Sequence, residues 1–315
     1  MSMSVMLRTL SVVMILSFMV FPVSLKADVR TINTKFGAVN VDGAPKRVVT
    51  LYEGALDAAI AVGVTSLGAV NTRSRDGVAE YIQDKVPDIA IVGSPREINL
   101  EAVIALKPDL ILAAPTMNRE QFQLLSAVAP TIVPDVQRYQ SDSWKKESLV
   151  YAQSMSKTVE MAEVIYDVEQ QIEVLKTKLA PVQNTKGKRT AMIRWMPQGA
   201  MLMAPGTFAS TLLTAVGFEI TDAGIIKPGR PHSSPLSQEK LSLIDRDWLF
   251  IATLDEDAQQ ALAAAKQSPA FERLEVVQKK KVYAVDGTLW SSANGPLAAA
   301  AILQQIETMI LNSAD

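Results

Sequence analysis

Between Trp144 and Ala180 the chain contains neither glycine nor proline. Apolar side chains recur through this stretch at Met155, Val159, Ala162, Ile165, Ile172, Leu175 and Leu179, with Val168 filling the one wide gap. Steps of three and four residues put them on one face of an α-helix. The spacing predicts one unbroken helix reaching about 50 Å, at 1.5 Å per residue. A single small domain has no use for that length, so the segment reads as a spine with a lobe at each end. Pro181 and the polar stretch from Gln183 to Lys188 mark where it stops.

On the N-terminal side, short apolar runs alternate with helical patterns. Arg47 to Leu51, Ser66 to Val70, Ile89 to Val92, Leu110 to Ala113 and Thr131 to Val133 read as strands. Glu53 to Val62, Leu100 to Leu106 and Arg119 to Val128 read as the helices between them. The βαβ rhythm predicts a mostly parallel sheet covered by helices. It restarts beyond the spine, with strands at Arg189 to Trp195, Ala200 to Met203, Trp248 to Ala252 and Val282 to Val285, and helices at Thr207 to Val216 and Pro296 to Leu311. The expected fold is α/β: two Rossmann-like lobes, 28–143 and 183–315, joined by one long linker helix over 144–182, with a ligand cleft between the lobes.

The first residues carry one cation, Arg8, then an apolar run from Leu10 to Val23 and the tripeptide Leu25-Lys26-Ala27. This is the layout of a cleaved export signal over 1–27. The apolar run is shorter than the ~20 residues a membrane helix needs. The chain has no cysteine, which removes disulfides, thiolate metal sites, cysteine nucleophiles and the lipid-anchored cysteine of a lipoprotein. A freely diffusing periplasmic protein is the expectation. The net charge of −2 gives no ground for a nucleic-acid partner, and a single histidine leaves little for a bare-metal site.

One segment occurs twice. Asn99-Leu100-Glu101 running into Lys107-Pro108-Asp109-Leu110-Ile111-Leu112 is echoed by Ser237-Gln238-Glu239 running into Asp245-Arg246-Asp247-Trp248-Leu249-Phe250. Each copy opens on a helix-capping residue, places Glu in the first turn and ends in an apolar strand. A first-turn carboxylate complements the helix dipole by only about 0.3 to 1 kcal/mol. Two copies, one per lobe, also suit docking against two basic sites of a dimeric partner. The two roles are compatible.

On these residues the chain resembles the siderophore and cobalamin binding proteins of ABC importers, whose lobes are joined by a rigid helix. The resemblance is carried by Pro45-Lys46-Arg47-Val48-Val49, Ala59-Ile60-Ala61-Val62-Gly63-Val64, Val92-Gly93-Ser94, the two repeat copies and Lys281-Val282-Tyr283. It spans almost the whole exported chain and looks closest to ferric citrate and ferric hydroxamate binders. It implies capture of a ferric siderophore by a monomer, with Glu101 and Glu239 meeting arginines of an inner-membrane permease dimer. It implies no cofactor, ferric iron entering only as part of the bound chelate. Relatives often place Arg directly after the Val-Gly-X stretch, whereas here that place is Pro95 and the cation follows at Arg96.

An anionic chelate needs fixed cations, and the planar guanidinium suits carboxylate-like oxygens. Strand ends form the binding edge of an α/β sheet. Arg73, Arg75, Arg96, Arg119 and Arg138 follow predicted strands of the first lobe. Arg194 ends a strand of the second lobe, and Arg230 lies in the turn-rich loop Lys227-Pro228-Gly229-Arg230-Pro231-His232. Tyr52, Trp195 and Trp290 are the aromatic candidates, while Trp144 and Trp248 read as packing residues. Met117, Met196, Met201 and Met203 fit core gaps or an adaptable apolar wall. His232 is an ordinary loop histidine or a ligand completing the iron shell. An enzyme is disfavoured: no G-x-S-x-G elbow and no Gly-rich phosphate loop is present. A haem or cobalamin binder of the same fold is the alternative; haem would call on Tyr52, Tyr139 or His232 as axial ligand.

Overall fold

The computed structural model describes residues 29–73 and 76–311. The expected export segment and Arg75 lie outside the described residues. The chain opens on an antiparallel hairpin that the sequence reading did not anticipate, β1 (Val29–Thr34) and β2 (Gly37–Asp42). Strands β3 (Val48–Leu51), β4 (Ser66–Ala69), β5 (Ala90–Ile91), β6 (Leu110–Ala113) and β7 (Thr131–Ile132) then form a parallel sheet in the order β5-β4-β3-β6-β7. The second sheet contains β8 (Arg189–Met196), β9 (Gly199–Leu202), β10 (Glu219–Ile220), β11 (Trp248–Thr253) and β12 (Val282–Asp286). Its parallel order is β10-β8-β11-β12, with β9 antiparallel to β8. In both sheets the first parallel strand lies inside, with later strands on either side. That reversal opens a crevice beyond the strand ends, where α/β proteins bind ligands.

The spine differs from the expected single helix. It is two helices, Ser143–Ser154 and Thr158–Lys186. Ser156 takes a φ of 61° between them, and the amide of Lys157 donates to the carbonyl of Ala152 at 2.8 Å, closing the first helix as a Schellman turn does. Serine occupies a left-handed position that usually calls for glycine, so no composition signal marked the break. Pro181 does not end the second helix, which runs on to Lys186 and stops at Gly187. Its last turn is tied to the second lobe by buried Gln183, whose Nε2 donates to the carbonyl of Val216 at 3.2 Å. The 29-residue helix spans about 44 Å at 1.5 Å per residue.

Strand alternation divides each sheet into two faces. Val48, Leu110, Leu112 and Ile132 from the first sheet and Met192, Phe250 and Ala252 from the second join one continuous core with Tyr151, Ile165, Leu175 and Ile302 of the central helices. The opposite faces feed separate outer cores, one around Val49, Leu51 and Ile111, the other around Ile193, Trp195, Leu249 and Ile251. The C-terminal helix Pro296–Leu311 packs on the spine, on helix Glu53–Ala61 of the first lobe and on helix Phe208–Ala215 of the second. Its first-turn amides, from Leu297 and Ala298, donate to Asp57 at 3.0 and 2.8 Å. Gly295 lets that carboxylate approach: its φ is +125°, and a Cβ there would run into Asp57.

The repeated segment performs the same task twice. Asp109 accepts the backbone amides of Lys46 and Arg47, each at 2.8 Å, at the start of β3. Asp247 accepts the amide of Arg189 at 2.9 Å at the start of β8 and pairs with that arginine's side chain. The copies differ at their openings: Asn99 caps its helix by accepting from Ala102, whereas Ser237 makes no side-chain cap to the 3-10 helix Gln238–Ile244. Glu101 and Glu239 are both exposed. No helix among the described residues is long and apolar enough to cross a membrane.

Candidate functional site

A cleft of about 280 Å³ opens between the two sheets. The first lobe contributes Tyr52, directly after β3, Arg73 from the loop after β4, and Arg138 from the loop after β7. The second lobe contributes Arg194 of β8, Met203, Phe208, His232 and Trp290. Helix Ser143–Ser154 supplies Trp144 and Glu147. A smaller space of about 250 Å³ adjoins it around Arg138, Tyr139, Gly206, Lys227 and Arg230. The two meet where the lobes touch. Gly206 lies so close to Tyr139 that a Cβ would run into the Tyr139 carbonyl, and Tyr139 itself takes a φ of 61°.

Arg194 carries the strongest electrostatic signal. It is 5% exposed, its Nε has no hydrogen-bond partner, and its only side-chain hydrogen-bond contact among the described residues is the Met201 sulfur at 3.9 Å. Burial holds its pKa below the ordinary guanidinium value, and the like charge of Arg73 lowers it further. Arg73 is lowered in turn by burial, then by Arg96, against a pull upward from Asp255. Two guanidiniums that repel one another across a cleft, one of them buried with no carboxylate partner among the described residues, have the charge and donors that suit a multivalent oxygen anion.

Trp195 does not share this site. Neighbouring residues on a strand point to opposite faces. With Arg194 turned to the cleft, Trp195 enters the outer core, where its ring meets Phe271 edge-on at 6.1 Å. Arg96 and Pro95 occupy the tip of a tight turn closed by backbone bonds between Ser94 and Glu97, so Arg96 is exposed and outside the cleft, although near enough to act on Arg73. Arg119 lies over the Phe36 ring, 5.0 Å from its centroid, and does not line the cleft. Arg230 lines the adjoining space only.

Tyr52 is half-buried where it lines the cleft, whereas Trp290 is almost fully buried. Trp290 lines the cleft but is 2% exposed, donates from Nε1 to Gln305 at 2.7 Å and stacks on Phe250 at 5.3 Å. Trp144 serves both purposes, lining the cleft beside Phe208 and meeting its ring edge-on at 6.2 Å. Trp248 is a packing residue, its Nε1 donating to the Gly187 carbonyl at 2.9 Å. Met117 belongs to an outer core, while Met203 faces the cleft. The His232 Nδ1 lies 2.8 Å from the carbonyl of Ser233. Among the described residues no group of three or more His, Asp or Glu side chains could hold a metal ion.

Glu147 is the residue that sequence reasoning missed. It is 5% exposed, accepts from Asn294 Nδ2 at 2.7 Å and is hydrogen-bonded by Tyr52. Burial pushes its pKa up to about 7, against Asn294, Arg138 and Tyr52, which favour the ionised form. Its place beside Trp144 in the Gly- and Pro-free stretch identified it only as part of a helix. A charged residue on the apolar side of that helix was the available signal.

Comparison with known proteins places this architecture. The probable siderophore-binding lipoprotein YfiY of Bacillus subtilis (strain 168) is 28% identical over 293 residues, covering 90% of this chain and 88% of that protein. The achromobactin-binding periplasmic protein of Dickeya dadantii (strain 3937) is 27% identical over 273 residues, covering 83% and 85%. Staphylococcus aureus SirA, solved in complex with staphyloferrin B, superposes with a TM-score of 0.79 at 24% identity, covering 90% of this chain and 98% of that one. Residues 48–289 match the sequence profile of a family described as periplasmic binding protein, Peripla_BP_2, and the chain belongs to that family.

Proposed function

We propose that the protein captures an anionic ferric siderophore in the periplasm and delivers it to an ABC permease dimer of the inner membrane. The observation that carries the capture half is buried, unpaired Arg194 facing Arg73. The relatives support the chelate class, since their names record siderophore and achromobactin binding. In this reading Arg73, Arg138 and Arg194 hold the chelate's oxygens, Trp144, Phe208 and Met203 cover its apolar arms, and Arg230 meets an arm that extends past Tyr139. Exposed Glu101 and Glu239 dock the two lobes on the two halves of the permease. The protein works as a monomeric binder, delivered by the N-terminal signal. It carries no cofactor, and the iron arrives as cargo.

Tyr52 is poorly suited to holding haem. An axial tyrosinate would have to come from Tyr52 or Tyr139. Burial, and then Glu147, push the Tyr52 phenol well above its ordinary value, so it resists ionisation. The test is purification from iron-starved cells followed by mass spectrometry of the coloured material that accompanies the protein. A ferric chelate bearing carboxylate or catecholate oxygens is expected; a macrocycle in its place overturns the proposal.

A further inference from the structure

Three arginines turn toward the cleft, and among the described lining residues Glu147 is the one carboxylate. An ionised Glu147 opposes any anion held by Arg73 and Arg194. Its surroundings are defined on every side. Tyr52 and, behind it, Glu53 face it from the start of helix Glu53–Ala61, and Arg138 from the loop after β7. Asn294 faces it from the loop before the C-terminal helix, Tyr151 lies one turn along its own helix, and Arg194, Arg73 and His232 line the same space. Lys145 and Lys146 of its own helix are engaged elsewhere, with Glu169 and Asp142. The carboxyl is held in place by the amide of Asn294, at 2.7 Å.

We propose that Glu147 takes up one proton from solvent when the chelate enters, changing from a carboxylate held by Arg138, Asn294 and Tyr52 into a carboxylic acid that donates a hydrogen bond to an oxygen of the chelate. The inference rests on the anionic-chelate reading above and adds a specificity-determining group to it. A ligand with an acceptor oxygen at this wall is favoured, and capture becomes coupled to pH. The empty cleft is already poised, because burial brings Glu147 to a pKa of about 7. A bound anion and the loss of remaining water both raise it further. Uptake is then partial near neutral pH and approaches one proton at higher pH. Affinity falls by up to roughly tenfold per pH unit above pH 7.

Isothermal titration with ferric citrate, in HEPES and in Tris buffer between pH 7 and pH 8.5, reads the proton count directly. A ferric catecholate and a ferric hydroxamate serve as further probes. Because the chelates exchange protons themselves, the readout is the difference between the wild type and E147Q. The glutamine retains an acceptor for Asn294, and circular dichroism verifies its fold. The wild type is expected to take up the additional proton and to show the steeper fall of affinity with pH, and the difference made by E147Q is expected to persist in an H232Q background. Equal proton uptake by the wild type and E147Q overturns the inference, as does loss of that difference in the H232Q background. If none of the three chelates binds, the capture proposal itself fails and this inference with it.

Discussion

At the scale of single residues, the site depends on one guanidinium placed where it cannot be neutralised from within. Arg194 lies on the inward face of β8 with no carboxylate in contact among the described residues. A bound oxygen anion would satisfy it, and a charge-assisted hydrogen bond contributes about 1.5 to 3 kcal/mol. Arg194→Ala is therefore expected to weaken an anionic ferric chelate by about 10- to 100-fold in a fluorescence titration, and a neutral ferric hydroxamate by much less. Equal losses would show that charge is not what the residue recognises. Arginines after strands were legible in the sequence because the βαβ rhythm locates strand ends. Which of them reach the cleft was not legible, because it depends on turns and on strand phase. Arg96 is carried to the tip of a turn, Arg119 rests on Phe36, and Trp195 is sent to the opposite face by the alternation that brings Arg194 inward. Glu147 was legible only as a charge on the apolar side of its helix, because the cleft it lines is assembled from segments far apart in the chain.

At the scale of elements, the C-terminal helix is held at its start by a carboxylate from another helix. Asp57 supplies the cap that Gly295, with no side chain, cannot. Asp57→Ala strands two amides in a buried site, at about 1 to 3 kcal/mol each, and is expected to destabilise the protein by about 2 to 4 kcal/mol in urea unfolding. A change below about 0.5 kcal/mol would contradict that role. Burial raises the pKa of Asp57 to about 7, and those of Glu53 and Glu147 similarly. The folded state therefore holds protons that the unfolded chain releases. This contribution to stability is full below the ordinary carboxylate range, near pH 4, and is lost as pH climbs to about 7. The ligand-free protein should accordingly melt at a higher temperature at pH 5 than at pH 8, as scanning calorimetry can determine; the reverse order would refute the assignment. The spine was legible as helical from its spacing, but its break was not, because Ser156 fills a position where glycine would have given a signal.

At the scale of the molecule, one core runs from the first sheet through the central helices to the second. Such a core resists hinge opening, so a small rotation is expected on binding, with little change in the solution-scattering radius. The lobes meet again at Gly206 and Tyr139, where a methyl group would force them apart. The near-repeat that carries Glu101 and Glu239 was the most legible long-range feature of the sequence. Asp109 and Asp247 show it to be structural as well, each anchoring the first parallel strand of its sheet. The exposed glutamates lie outside that anchoring role. Replacing both with alanine is expected to abolish transport in cells while ligand affinity of the purified protein persists, and unimpaired uptake would assign them to the helix starts alone.

Capture of an anionic ferric chelate between Arg73 and Arg194 is most directly tested by tryptophan fluorescence, since Trp144 and Trp290 line the cleft. Titration with ferric citrate, a ferric catecholate, a neutral ferric hydroxamate, haem and cobalamin should give saturable quenching, tightest for an anionic ferric chelate and weakened as salt rises. Failure of every ferric chelate, or tighter binding of haem or cobalamin than of any of them, would contradict it.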